Sequence, residues 1–513
     1  MTGLGRTFCI ALVGLNGDVG EVVADIVQTL PAFQLLGLPD ASLVEAKERI
    51  RSAAHNAGLP LSRRKITINL LPASLPKHGS SFDLAMVMAA LRAARDVQDT
   101  GKTVFLAELG LDSRLRPIRG VLPAVLASVR AGYPKVVVAP ANLPEARLVP
   151  GAEITSYLCL AEVALAYGAT SSDLNFVSEA AAESKTMTVG RETRLDLSEV
   201  AGQVEAKEAL EVAAAGGHHL LLLGPPGAGK TMLAERLPGL LPDLGDAQAM
   251  EVTAVHSLDG LSGNRIELIR RPPFENPHHT ASTVSIVGGG NGIPRPGAAS
   301  RAHRGVLFLD EAPEYDRRVL DALRQPLESG RLTIHRSAGV ADYPARFQLV
   351  MAANPCPCGK AVGRGKDCSC TPIARRRYFN RLSGPLLDRV DIQLTVHRMS
   401  PAQLANQGRA ESTELVAARV LEARSRAKSR LEPFGYLLNS ETPGQLLRGG
   451  LRLPEAATKI LDLALERGRL TARGYDRVLR LSWTLADLAG VARPEGEQIG
   501  RALAMRSQGL AER

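Results

Sequence analysis

Apolar and polar positions fall into four regimes along the chain. Up to residue 168, short apolar runs such as Val104–Leu106 and Val136–Val138 alternate with Ala-rich stretches of helical period, Leu84–Ala94 and Leu122–Ala131. That pattern predicts an α/β unit. Phe8–Leu15 is apolar as well, but only Arg6 precedes it and no small-residue cleavage site follows, so it reads as a buried strand rather than a signal peptide. Residues 169–195 carry Ser, Thr, Glu and Ala with little periodicity and read as a linker. From 196 to 397 buried-type strands alternate with helices, as in a parallel sheet with crossover helices. From 398 to 513 the pattern is helical. Pro454 opens Glu455–Glu466, which Gly468 closes, and Thr471 caps a helix whose Val478, Leu481, Leu485 and Leu488 recur every three or four residues before Gly490.

Composition narrows this picture. The chain has 513 residues, 45% of them hydrophobic, which supplies several cores and argues against disorder throughout. The longest apolar run, around Leu220–Leu223, falls far short of the ~20 residues a membrane helix needs. Lys and Arg number 62 against 53 Asp and Glu, and the resulting +9 permits nucleic acid as a partner without requiring it. Four of the six cysteines lie between 356 and 370, which suits a metal site or reduced thiols better than a disulfide framework. These features predict a soluble, cytoplasmic, multidomain protein.

The sharpest chemistry begins at the strand Leu220–Leu223. It runs into Gly224, Pro225, Pro226, Gly227, Ala228, Gly229, Lys230 and Thr231, and helical Met232–Leu237 follows. This is the G-x-x-x-x-G-K-[ST] loop in the strand-to-helix setting that gives it meaning. Its glycines let backbone N–H groups converge on phosphate oxygens at the positive end of a helix. Lys230 is expected at the β- and γ-phosphates of ATP and the Thr231 hydroxyl on Mg²⁺. A second apolar strand, Val306–Leu309, ends in Asp310 and Glu311. Asp310 is placed to hold the metal through water, and Glu311 to activate the attacking water. A third, Phe347–Ala353, ends in Asn354, whose amide either positions that water or serves the turn before Pro355.

Asp310 and Glu311 combined with Asn354 resemble an AAA+ ATPase. The surrounding stretches at 196–203, 272–280, 288–290, 305–311, 354–359 and 383–389 are similar to the ComM/YifB family of magnesium-chelatase-like AAA+ proteins. The likeness covers nearly the whole chain. It implies a homohexameric ring with ATP sites between subunits. It further implies an ATP-driven motor on DNA, with helicase and branch-migration activity in recombination of incoming DNA during natural transformation, alongside recombination proteins. A magnesium-chelatase-type subunit that remodels a protein partner is the competing implication.

Within that resemblance Arg389 is similar to the arginine finger that reaches a neighbour's γ-phosphate, a role suited to a permanently charged fork of donors. Alone it reads as an ion pair with Asp388 or Asp391. Arg473 resembles the lid arginine that senses the nucleotide of its own subunit, with Arg477 as the rival. Arg270–Arg304 resembles an insertion within helix two that this clade aims at DNA. The alternating strand Arg331–His335 and the turn-like stretch from Arg336 to Asp342 predict a hairpin with Arg336 at or near its tip. Similar ring motors project such a hairpin into the pore, which makes Arg331, His335 and Arg336 candidates for DNA contact. Packing at a subunit interface is the plainer reading of both segments.

Residues 76–83, Leu106–Leu111 and Arg116–Gly120 look like the Lon-protease fold that ComM-like proteins carry at the amino terminus. Ser81 stands where that family has its nucleophile, but Leu122 occupies the place of the lysine base. A serine without a base is not activated. The unit is therefore expected to be a non-proteolytic scaffold, with Ser80 and Ser81 capping the helix that follows.

Cys356-Pro-Cys358 and Cys368-Ser-Cys370 offer four thiolates for structural zinc, although as C-x-C rather than the usual wider pairs. Reduced or redox-sensitive thiols are the alternative. Cys9 and Cys159 read as core filler. From Arg364 to Arg381 six basic residues accompany one acid, with Tyr378 and Phe379 interleaved. That segment is either a phosphate-contacting, base-stacking surface or a solvated face.

Overall fold

The computed structural model describes residues 3–27, 30, 32–36, 40–61, 65–72, 79–177, 195–260, 267–290, 294–336, 339–361, 366–399 and 410–511. An amino-terminal α/β unit leads into a parallel-sheet core and then a helical carboxy-terminal unit, the class expected from the sequence.

The first unit contains β1 (Gly3–Val13), β2 (Asn16–Val27), β3 (Ala32–Leu36), β4 (Lys65–Leu71), β5 (Val104–Leu106), β6 (Glu108–Leu109), β7 (Leu115–Arg116), β8 (Lys135–Val138) and β9 (Glu153–Ser156). Seven of these form one mixed sheet in the order β3-β4-β2-β1-β5-β8-β9, and β6 and β7 pair separately. Strand β1 is apolar because both its faces are covered. Cys9 and Ala11 join the core under the helices Asp40–Asn56 and Asp83–Ala94, whereas Ile10 faces the helix Val121–Arg130. The unit continues past residue 168, since Leu174 is buried in its core and the Asn175 N–H donates to the Ala57 carbonyl at 3.0 Å.

Ala254, on the helix Asp246–Asp259 of the second unit, completes the Ile10 face. The Gly120 N–H donates to the Ser257 carbonyl at 3.1 Å and secures this junction.

The second unit holds β10 (Leu220–Leu223), β11 (Phe274–Glu275), β12 (Gly288–Gly289), β13 (Arg295–Pro296), β14 (Val306–Leu309), β15 (Arg331–Arg336), β16 (Gly339–Pro344), β17 (Gln348–Ala353) and β18 (Ile392–Thr395). Its sheet runs β11-β14-β17-β10-β18 with every pairing parallel. Leu220 and Leu222 enter one core and Leu221 and Leu223 another, so a run of four leucines is what a strand covered on both faces demands. Chain order reverses beside β10, and such a switch point opens a crevice at the carboxyl ends of the strands.

The crossover from β11 to β14 is a helix in two pieces, Thr283–Val287 and Ala298–Arg301. The small β12–β13 ribbon interrupts it. The helices Thr413–Leu431, Glu455–Glu466, Ala472–Ala489 and Gly496–Ala511 form the lid, which shares its core with one face of the parallel sheet. Among the described residues no helix is long and apolar enough to cross a membrane.

Candidate nucleotide site

The phosphate loop is shaped by steric necessity. A Cβ on Gly224 would lie 2.3 Å from the Val396 carbonyl oxygen, so only glycine lets the loop leave β10 there. Gly227 and Gly229 take φ of +76° and +87°, a left-handed backbone that disfavours side chains, and the space where a Cβ would point is open. A curled loop open on its concave side fits a phosphate chain.

Lys230 begins the helix Lys230–Leu240 and is buried. Its ammonium donates to the Gly224 carbonyl at 2.7 Å, the Pro225 carbonyl at 3.0 Å and Asn354 Oδ1 at 3.0 Å. These three oxygens stand in for phosphate oxygens. Burial lowers the Lys230 pKa, and the charges of Asp310 and Glu311 oppose that shift. Thr231 Oγ1 donates to Asp310 Oδ2 at 2.8 Å, and Asp310 Oδ1 accepts the Glu311 N–H at 2.9 Å. A hydroxyl touching a carboxylate beside a phosphate loop is a donor set suited to Mg²⁺.

Glu311 has φ of +49°, a strained conformation for a non-glycine residue, of the kind that clusters at active sites. His279 Nδ1 lies 3.4 Å from the Glu311 carboxylate. The stretch containing His279 matched the family pattern, yet only the fold brings this ring to the acid. Lys230, Thr231, Asp310, Glu311 and Asn354 thus meet at the carboxyl ends of β10, β14 and β17.

Arg389 lies elsewhere. It stands just before β18, whose Ile392 pairs with Leu220 at the start of β10, so it occupies the opposite edge of the sheet from the phosphate loop. Its guanidinium pairs with Glu328 and donates to the Pro385 carbonyl, rather than meeting Asp388 or Asp391. Arg477 is taken up by the buried Asp391, which also faces His218 Nδ1 at 3.3 Å. Burial favours protonation of Asp391, but Arg477 and His218 overcome it and hold the carboxyl well below its usual range.

Arg473, one helical turn before Arg477, is exposed. Burial depresses the Arg389 pKa, with help from the nearby charges of Arg324, Arg473 and Arg477. Arg473 was expected to sense the nucleotide of its own subunit. It lies instead on the far edge with Arg389, because its helix packs beside the amino ends of the strands. A cavity of about 640 Å³ there is lined by His219, Glu328, Arg389, Asp391, Arg477 and Arg480, among others.

The remaining candidates divide. Sγ atoms of Cys356, Cys358, Cys368 and Cys370 lie within 4.8 Å of one another. Cys9 and Cys159 are buried, as expected of filler. Arg331, His335 and Arg336 are exposed on β15, which pairs with β16, Arg336 opposite Gly339; residues 337 and 338 lie outside the described residues. Ile334 and Arg336 lie against Gly288 and Gly289 of β12, so hairpin and insertion form one patch.

The base-stacking reading of Tyr378 is corrected. That ring is 4% exposed and packs edge-on against Phe379 at 5.5 Å, because both rings close the hydrophobic side of their helix. Arg364 lies outside the described residues. The capping reading of Ser80 and Ser81 is also corrected. Ser80 donates to Glu108, and the helix Asp83–Ala94 begins without a side-chain cap. Leu122 is fully buried.

A parallel sheet with a phosphate loop at its switch point, an acid pair two strands away, an asparagine on the strand between and a helical lid defines a P-loop ATPase of the AAA+ class. Family models for "Magnesium chelatase, subunit ChlI" match residues 196–404, for "Subunit ChlI of Mg-chelatase" residues 22–142, and for "Magnesium chelatase, subunit ChlI C-terminal" residues 410–506. The chain is 49% identical to an uncharacterized protein of Mycobacterium tuberculosis over 99% of both chains. It is 41% identical to the competence protein ComM of Haemophilus influenzae, covering 94% of this chain and 93% of that one. With the YifB protein of Escherichia coli the identity is 40%, over 93% and 92%. A stretch of 147 residues is 31% identical to the Lon protease of Mycolicibacterium smegmatis, 28% of this chain and 19% of that one. The chain belongs to the ComM/YifB family of magnesium-chelatase-like AAA+ ATPases.

Proposed function

We propose that this protein is an ATP-driven ring motor on DNA, with helicase and branch-migration activity in recombination of incoming DNA. The observation that carries this reading is the patch where exposed Arg331, His335 and Arg336 meet the β12–β13 insertion. Cations on adjoining projections, coupled to an ATPase core, suit a phosphodiester backbone. The relation to a competence protein points the same way.

In this reading Lys230 and the loop N–H groups hold the phosphates of ATP, and Thr231 and Asp310 hold Mg²⁺. Bound there, Mg²⁺ supplies charge neutralisation at the γ-phosphate. Glu311 accepts a proton from the attacking water, and Asn354 orients that water while releasing Lys230 to the substrate. Arg389 and Arg473 act on the nucleotide of the adjacent subunit, since both lie at the far edge of the sheet. Zinc at the four-cysteine cluster is the structural cofactor of this reading, and a homohexamer its assembly.

The test is branch migration of a labelled four-way DNA junction by wild type, Lys230→Ala and Arg336→Ala at fixed salt. Movement by wild type and by neither variant is the expected result. ATP hydrolysis indifferent to DNA of every form, with no movement, would favour remodelling of a protein partner instead.

A further inference from the structure

We propose that the four cysteines bind one Zn²⁺ and that this zinc knuckle braces the ATP site, fixing both Asn354 and the phosphate loop. The proposal rests on the ATPase reading only for its second half.

The sulfur geometry carries the first half. Cys356 Sγ lies 3.3 Å from Cys358 Sγ and 3.6 Å from Cys368 Sγ, and Cys358 and Cys368 are 3.6 Å apart. With Cys370 all four sulfurs fall within 4.8 Å. A tetrahedron of sulfurs at the ~2.3 Å Zn–S bond length has edges of about 3.8 Å. Disulfide sulfurs would approach to about 2.05 Å. An iron–sulfur cluster would interpose its own sulfides and hold the thiolates farther apart. The arrangement therefore fits a single tetrahedral ion, and zinc is the redox-inert ion that closed four-thiolate sites take for a structural role.

The surroundings carry the second half. Cys356 follows Asn354 by two residues at the end of β17, and Asn354 Oδ1 is the oxygen that accepts from Lys230. Gly359, whose N–H donates to the Cys356 carbonyl at 2.9 Å, lies against the phosphate loop. A Cβ there would stand 2.6 Å from Cγ and Cδ of Pro226. On the other flank, the helix Pro372–Phe379 follows Cys370 directly and brings the buried Tyr378 hydroxyl to the Asn354 backbone. Both sides of the knuckle thus touch the nucleotide machinery. A metal that ties Cys356 and Cys358 to Cys368 and Cys370 joins those two sides through one ion.

Zinc content of the full-length protein, measured by elemental mass spectrometry, is expected at one per chain. The double variant Cys358→Ser/Cys368→Ser is expected to lose it, and to bind a fluorescent ADP analogue at least tenfold more weakly with unchanged far-UV circular dichroism. Gly359→Ala is the companion, expected to retain zinc and still lose ADP affinity by crowding Pro226. Zinc below a fifth of an equivalent, iron in its place, or a Cys356–Cys358 disulfide in the purified protein would overturn the metal assignment. A zinc-free variant that binds ADP like wild type would overturn the brace. Lys230→Ala separates this from failure of the ATP site itself: if it retains zinc but binds ADP normally, the nucleotide reading falls and the metal assignment stands.

Discussion

The two edges of the parallel sheet are built on opposite plans. At the carboxyl edge the polar groups are few and close to open space. Lys230 spans two carbonyls and an amide, Thr231 touches Asp310, and glycines leave the loop uncovered. At the amino edge, by contrast, charge is paired and buried. Asp391 is held by Arg477 and His218, His218 passes the network to Thr484 at 2.8 Å, and Asn439 joins Thr484 to Asp487 and Arg430. One edge is arranged to receive a ligand and the other to fix the lid, with Arg389 and Arg473 carried along on the fixed side. In the ring proposed above, these two edges would face each other between neighbouring subunits.

The largest effect expected is from Lys230→Ala, which removes the ammonium from the receiving edge. ATP turnover should fall by about a thousandfold or more, with the fold retained, because several oxygens lose one shared cation. Steady-state hydrolysis by the purified variant checks this.

Arg389→Ala should cost about a thousandfold in turnover as well, yet leave nucleotide affinity within roughly threefold. The sharper experiment mixes the two variants. Lys230→Ala subunits still offer a finger, and Arg389→Ala subunits still offer a loop. If the edges act across an interface, mixed rings should exceed either parent by roughly tenfold. Mixtures that stay as inactive as their parents would mean that each chain needs both residues itself.

Much of this division is legible in the sequence, and the reason is local. The phosphate loop, Asp310 and Glu311 announce themselves because strand, turn and helix are contiguous and each residue's role follows from its neighbours. Pro454, Thr471 and Gly490 mark lid helices because caps act within a turn. What the sequence hid was set by long-range packing. Nothing near Arg473 reveals which edge of the sheet its helix will flank. His279 meets Glu311 only through the crossover that returns it to β14, and Tyr378 reads as an exposed aromatic until its helix is seen to bury it. Ser80 fails as a cap because Phe82 takes the N-cap position, two residues on, and the Ser80 hydroxyl is turned to Glu108, distant in sequence.

Stability distinguishes the edges next. Arg477→Met leaves Asp391 buried without its main partner, and an uncompensated buried carboxylate costs about 3–5 kcal/mol. The single tryptophan, Trp483, lies in the same network with the Arg430 guanidinium 4.3 Å from its ring, so its fluorescence reports this region's unfolding in urea. Arg473→Met, on the same helix but exposed, should leave that transition within about 0.5 kcal/mol of wild type. Equal destabilisation by both would erase the distinction between the locking arginine and the free one.

A smaller effect than that of Arg477→Met is a pH dependence at the amino edge. His219 Nδ1 accepts the Leu349 N–H at 3.0 Å, which requires that nitrogen to be unprotonated. Burial lowers its pKa to about 4, with Asp391 opposing and Arg477 and His218 assisting. Unfolded, the same ring titrates near pH ~6.5. Between these values the unfolded chain binds the proton more readily, so stability is fully present above pH ~6.5 and is lost as pH falls through about 4. The ring borders the amino-edge cavity, so solvent screens part of the effect, and about 1–2 kcal/mol is expected rather than the full shift. His219→Gln keeps an acceptor for Leu349 but no titrating group, and its urea midpoint followed at Trp483 should lose that part of the slope between pH 6.5 and 4.5. If wild type and His219→Gln slope alike, the amino edge is locked by Asp391 and Arg477 alone, and His219 contributes shape without charge.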